Sequence, residues 1–350
     1  MYEYELKYSK YYEWEDVTNE RELYWTLNWL TGEFEIKILV TGGAGFLGHN
    51  LVKELIRQKN EVIIFDNGFR VGFDNIEHMD NVQQFKGNVA NQEDWNQLPS
   101  DIEQVFHLAA INGTKYFYEI PEKILDVNVG GTLNLFKWVP KTQVKKIFFA
   151  SSSEVYGFPN IFPTPENEPL CIPDSKNPRF SYSSSKIIGE TITINFCNQL
   201  GIEYQIGRFH NVYGPKMGFE HVIPEFIRKC VKSESFTVQG DGNETRSFCY
   251  IDDAIAGILC ITNNSNVKND IFNIGTCEEI SMNDLIKKLE IIHGSTITPI
   301  YKEFKNAGTK RRVPDISKIE SVGFKPSIHL IDGLRSTYNW YKEYYLNSSN

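Results

Sequence analysis

No apolar run in the chain approaches the roughly 18–20 residues that a membrane-spanning helix requires. The N-terminal stretch carries acids where a signal peptide would need an apolar core, so a soluble, unexported protein is expected. Six cysteines, at 171, 197, 230, 249, 260 and 277, contain no C-x-x-C pair. Their spacing spells neither a zinc site nor a redox dithiol, which leaves no metal expected and a reducing cytoplasm as the expected setting. Positive charge is in deficit: 36 Lys and Arg against 45 Asp and Glu give a net charge of −9. A general nucleic-acid surface is thereby excluded, while a local basic pocket for phosphates is not. Internal repeats and low-complexity segments are lacking too. With 41% hydrophobic and 23% charged residues over 350 positions, what is left is a folded globular chain near the length of two domains.

Residues 1–35 hold six tyrosines and three tryptophans, and the composition changes abruptly at Ile36. Asn19 and Glu22 form a capping pattern before Leu23, Leu27 and Leu30, with Gly32 as the stop, so an appended helix is expected there. From Ile36 the pattern alternates between short, nearly continuous apolar runs and longer periodic segments. IKILV, EVIIFD, Val82–Phe85, EQVFHLA, KKIFFAS and EYQIGRF read as strands buried on both faces. Phe46–Arg57, Lys123–Lys137 and Tyr182–Leu200 read as crossover helices. The expected fold is an α/β doubly wound parallel sheet over 36–210, followed by a smaller α/β lobe over 211–350 with some crossover of the chain. Helices are expected in that lobe near Ile223–Val231, Asp252–Ile261 and Met282–Ile292.

TGGAGFLG at 41–48 directly follows the first strand and opens the first helix. Gly42, Gly45 and Gly48 let the chain turn tightly, bring N–H groups against a pyrophosphate and pack helix on sheet. Asp66 ends the second strand eighteen positions after Gly48, where a carboxylate can accept both hydroxyls of an adenosine ribose and repel a 2′-phosphate. NAD is favoured over NADP, although Arg70 lies close by. Tyr182 and Lys186, four residues apart, share a helix face, and an ammonium there is expected to lower the phenol's pKa and make it a usable base. The serine run 151–153 at the carboxyl edge of the sheet offers a hydroxyl for the reacting oxygen.

In this order, TGGAGFLG, Asp66, HLAA at 107–110, NVGGT, SSSEVYG, YSSSK, RFHNVYGP, TRSFCYIDD and RRVPD resemble an extended short-chain dehydrogenase/reductase of the nucleotide-sugar epimerase/dehydratase family, over about residues 36–345. The resemblance implies a Rossmann-type domain, bound NAD, a nucleotide-diphosphate sugar as substrate and a homodimer built on the face carrying Ile187, Ile188, Ile192 and Ile194. By the same resemblance Ser152, Tyr182 and Lys186 are the catalytic set. Gly42, Gly45, Phe46, Leu47, Asp66 and Asn67 are implied to lie near NAD, as are Tyr182 and Lys186 themselves. Asn88, Val89, Leu108, Ala109, Ala110 and Asn128 complete that set, with Asn88 standing where relatives more often carry aspartate. Asn211, Arg246 and Arg312 match positions that hold the substrate's diphosphate.

The shared first step is oxidation at C4 to a 4-keto sugar, with epimerisation as the leading outcome. Glu154, two residues after Ser152, resembles the T-S-E pattern of UDP-glucuronate decarboxylases and of GDP-mannose 4,6-dehydratases and keeps those reactions open. The catalytic cysteine of C3/C5 epimerases is absent, Ser153 and Glu154 standing there. Net 4-dehydrogenation, or an NAD-responsive binding protein without catalysis, are the remaining alternatives. His107, His210 and the aromatic group Tyr116–Tyr118 are read as packing or as walls of the site.

Overall fold

A computed structural model describes residues 36–70, 82–303 and 309–347, so the expected N-terminal helix at 19–32 lies outside the described residues. Seven strands form one parallel sheet: β1 (Lys37–Thr41), β2 (Glu61–Asp66), β3 (Val82–Lys86), β4 (Gln104–His107), β5 (Lys146–Ser152), β6 (Glu203–Phe209) and β7 (Asp270–Ile274). Their order across the sheet is β7-β6-β5-β4-β1-β2-β3. Strand order reverses between β1 and β4, and a crevice opens there beyond the carboxyl ends of the strands.

The near-continuous apolar runs are explained by two cores. Val40, Val62, Ile64, Phe106 and Phe148 join one, while Leu39, Ile63, Phe65, Val105 and Phe149 join the other, because successive side chains of a strand point to opposite faces. On the first face lies α1 (Phe46–Arg57), which buries Leu51, Val52 and Leu55. The second face is covered by α2 (Ser181–Leu200), packed along β5 and β6. Helix α3 (Ile251–Asn263) packs back on α1, and β7 closes the sheet's edge, so the chain beyond Asn211 contributes to both layers.

The expected continuous helix over Lys123–Lys137 differs in detail. Pro121–Leu125 and Gly131–Trp138 are α-helical, but Asp126–Gly130 forms a π turn between them. Such single-turn widenings displace side chains from the regular helical ladder, and Asn128, the residue displaced here, is buried. Among the smaller pieces, Thr245–Ser247 pairs with Glu279–Ser281 on one side and Arg311–Arg312 on the other, setting Arg246 beside Arg312.

Candidate active site

Gly42 has φ +72 and a Cβ there would sit 2.8 Å from the backbone of Ala109; a Cβ on Gly48 would sit 2.1 Å from the Gly42 carbonyl oxygen. Only glycine permits this turn and this contact between helix and loop. Gly45 is the N-cap of α1 and makes no side-chain cap bond, so the helix presents first-turn N–H groups to the crevice. Asp66 lies at the turn's flank: its carboxylate accepts from the Ala44 N–H at 3.1 Å and the Gly68 N–H at 2.8 Å. Burial raises its pKa, and these backbone donors oppose the rise.

The crevice widens into a cleft of about 400 Å³. Gly42, Gly45, Phe46, Leu47, Asp66, Asn67, Val89, Leu108, Ala109 and Ala110 line it, and so do Ser152, Glu154, Tyr182, Lys186, Asn211 and Arg312. Three expected residues do not line it. Asn88 turns its side chain to the Ala90 N–H at 3.0 Å. Asn128 accepts from the Ile111 N–H at 2.8 Å and donates to the Ile111 carbonyl and to Ser185 Oγ, so its amide fastens the β4 loop to α2. Arg246 spends its guanidinium on the carbonyls of Thr245, Thr309 and Lys310 and acts on the cleft only as a nearby charge.

Tyr182 is buried on the first turn of α2, stacked against Phe117 with ring centroids 5.3 Å apart. Ser152 stands near its hydroxyl, and the Ser152 Oγ accepts from the Glu154 N–H at 3.2 Å. The expected lowering of the phenol's pKa by Lys186 is not what the protein's own groups produce. Burial raises it, Ser152 and the Arg70 charge pull it down, and the Glu154 charge pushes it up. Lys186 donates to the Ala150 carbonyl at 2.7 Å, and its Nζ stands 5.8 Å from the Tyr182 ring centroid. Desolvation brings this amine down to about 8, against the opposing charge of Glu190.

Glu154 enters the cleft from the short turn after β5, paired with Arg312 at 2.6 Å and with Arg179 at 3.7 Å. Burial alone would raise its pKa; Arg312 and Arg179 outweigh that and hold the carboxyl below its usual range. Nothing in the sequence around Arg179 marks it as a site residue, although its place three residues before Tyr182 puts it on the turn that starts α2. His210 is fully buried, bonded through Nε2 to Asn273 Oδ1 at 3.1 Å, and supports the loop rather than the cleft. His107 bridges Thr41 Oγ1 at 2.8 Å and Thr132 Oγ1 at 3.3 Å, and burial depresses its pKa to about 3, which keeps it neutral.

The sequence model described as the NAD dependent epimerase/dehydratase family matches residues 38–275, more than half of the chain. The chain belongs to this family. It is similar to a putative UDP-glucose 4-epimerase of Methanocaldococcus jannaschii, 38% identical over 312 residues, which is 87% of this chain and 98% of the relative. UDP-glucuronic acid decarboxylase 5 of Arabidopsis thaliana is 33% identical over 308 residues, 85% and 87% of the two chains. The solved UDP-glucuronic acid 4-epimerase of Bacillus cereus, in complex with UDP-glucuronic acid and NAD, superposes with a TM-score of 0.81 at 28% identity, covering 89% of this chain and all of that one. The protein is therefore an NAD-dependent enzyme of the epimerase/dehydratase family. Its own residues fit that cofactor: the turn that admits no Cβ, the uncapped helix N-terminus and the acid at the end of β2 are the parts that a dinucleotide requires. Among the described residues no helix is long and apolar enough to cross a membrane.

Proposed function

We propose that the protein is an NAD-dependent 4-epimerase of a UDP-sugar. The observation that carries this reading is the convergence of Tyr182, Ser152 and Lys186 on one cleft that the glycine turn and Asp66 also line. Tyr182 takes the proton of the sugar's C4 hydroxyl, Ser152 hydrogen-bonds the same oxygen, and Lys186 supplies positive charge beneath the phenol. When bound, NAD+ supplies the acceptor for the C4 hydride and, after the ketone has turned its other face, the donor that returns it. The proton and the hydride both go back, so there is no net redox change. Asp66 takes the adenosine ribose, while Asn211 and Arg312 hold the substrate's diphosphate with the charge of Arg246 behind them.

Glu154 supports a second reading. An ionised carboxylate between Arg312 and Arg179 stands two residues from Ser152, where it can act on C5 of a 4-keto sugar, and the two arginines can pair with a hexuronate carboxylate. Decarboxylation of a UDP-hexuronate, or 4,6-dehydration, would follow the same first oxidation. A homodimer belongs to the proposal as well, supported by Ile188 at 40% exposure on α2. Six free thiols accord with a cytoplasmic setting.

The test is product analysis. Purified protein is incubated with UDP-glucose, UDP-galactose and UDP-glucuronate, and products are read by chromatography and mass. A new peak of unchanged mass is expected for the epimerase. Loss of carbon dioxide or of water would transfer the assignment to the second reading. Loss of two hydrogens with accumulating NADH would mean net dehydrogenation, and no product from any sugar would leave a binding protein. Tyr182→Phe should cut turnover by about 10²–10⁴-fold, and near-normal turnover in that variant would remove the phenol from its assigned role.

A further inference from the structure

Arg70 leaves the same strand end as Asp66 but has a different reach. Its Nη2 lies 3.3 Å from where a Cβ on Gly113 would stand, and its Nη1 lies 3.1 Å from the equivalent point on Gly218. Gly113 follows β4 on one wall of the cleft and Gly218 lies beyond Tyr213 on the other, so one guanidinium touches both walls. Arg70, Gly45, Phe46 and Gly218 line both the cleft that holds Tyr182 and an outer cavity of about 520 Å³ walled by Trp340 and Tyr344. The junction of the two spaces therefore runs past the N-terminus of α1. Among the described residues no side chain or carbonyl hydrogen-bonds the guanidinium; Tyr116, Tyr182 and Glu220 act on it only at a distance. With a cleft wall on each side and no bonded partner among the described residues, the guanidinium is free to take an anion.

We propose that Arg70 clasps the cofactor's diphosphate from the side opposite the glycine turn and so retains the dinucleotide between turnovers. A helix N-terminus offers N–H donors and the positive end of its dipole, and a guanidinium offers a fork matched to phosphate oxygens; from opposite sides they share one diphosphate. The substrate's diphosphate is the other source of the same chemistry. Arg70 belongs to the cofactor's because it leaves the Asp66 loop and lines the same two spaces as Gly45 and Phe46, whereas Arg246 and Arg312 cluster with Glu154. The inference rests on the glycine turn being the cofactor's cradle.

The experiment uses the full chain and reads binding, not turnover. NADH release is followed by fluorescence after dilution, and UDP affinity by calorimetry, for the wild type and for Arg70→Ala, Arg70→Gln and Arg70→Lys. Release is expected to be about tenfold or more faster in the Ala and Gln variants and intermediate in the Lys variant, with UDP affinity changed less than about twofold. Unchanged release in variants that melt like the wild type overturns the clasp and leaves the cradle standing. A loss of UDP affinity, alone or equal to the loss of cofactor, overturns the assignment to the cofactor. Failure of the wild type to bind NAD or NADH at all would overturn the cradle itself and the clasp with it.

Discussion

Two carboxylate–arginine pairs lie near the carboxyl end of β5, and they behave differently although their chemistry is the same. Glu190 and Arg208 are each 3% exposed; Glu154 and Arg312 are 23% and 10% exposed. In the first pair every group is occupied. Glu190 accepts from Arg208 Nε at 2.9 Å, from Arg208 Nη2 at 2.7 Å and from Ser151 Oγ, while Arg208 Nη1 reaches the Tyr156 hydroxyl and the Glu166 carbonyl. In the second pair, Arg312 spends one donor on Glu154 and one on Thr309 Oγ1, and Arg179 approaches at 3.7 Å without a bond. A closed pair of this kind braces α2 against β6, one turn beyond Lys186. An open pair facing a cleft can exchange partners with a ligand. Completeness of bonding, more than residue type, separates the brace from the site.

The comparison breaks most easily at the brace. Glu190→Ala leaves a buried guanidinium without its carboxylate, and the expected cost is about 3–5 kcal/mol of unfolding free energy, read by urea denaturation. Replacing both residues, Glu190→Met with Arg208→Met, should recover much of that loss, because two apolar side chains carry no unmet charge. If the single change cost under about 1 kcal/mol, the pair would be no different from an exposed one and the contrast would fail.

A smaller effect is expected at Asn128, and it shows where the sequence is legible and where it is not. The strands could be read because burial on both faces demands runs such as EVIIFD, and the glycine turn because two close contacts admit no other residue. Tyr182 and Lys186 were readable from helical spacing. The amide of Asn128 was expected around the cofactor, yet its bonds go to Ile111 and Ser185, and only a π turn brings it there. Local spacing does not announce such a turn, nor does it announce that Arg179 and Arg312, 133 positions apart, meet at Glu154 (312 minus 179). Asn128→Ala, which strands the Ile111 N–H, should cost about 1–3 kcal/mol with unchanged cofactor stoichiometry. A variant that kept its stability but lost NAD would return the residue to the cofactor shell.

The smallest change in stability is expected at the open pair. In Glu154→Gln the amide carbonyl still accepts from Arg312, so unfolding at neutral pH should move by less than about 1 kcal/mol. Its pH dependence carries the information. The Glu154 carboxyl is held below its ordinary value of 4.5 in the folded chain, so the unfolded chain binds more protons between those two values and wild-type stability falls as pH drops through them. Glutamine has no proton to bind. The gap between wild type and variant should therefore be widest above about 4.5 and close on acidification. Adding UDP should narrow the gap at neutral pH as well, if the diphosphate takes Arg312 away from Glu154 as an open pair allows. A gap that ignores UDP would mean that the second pair is as closed as the first, and that the arginines around Glu154 belong to the fold and not to the substrate.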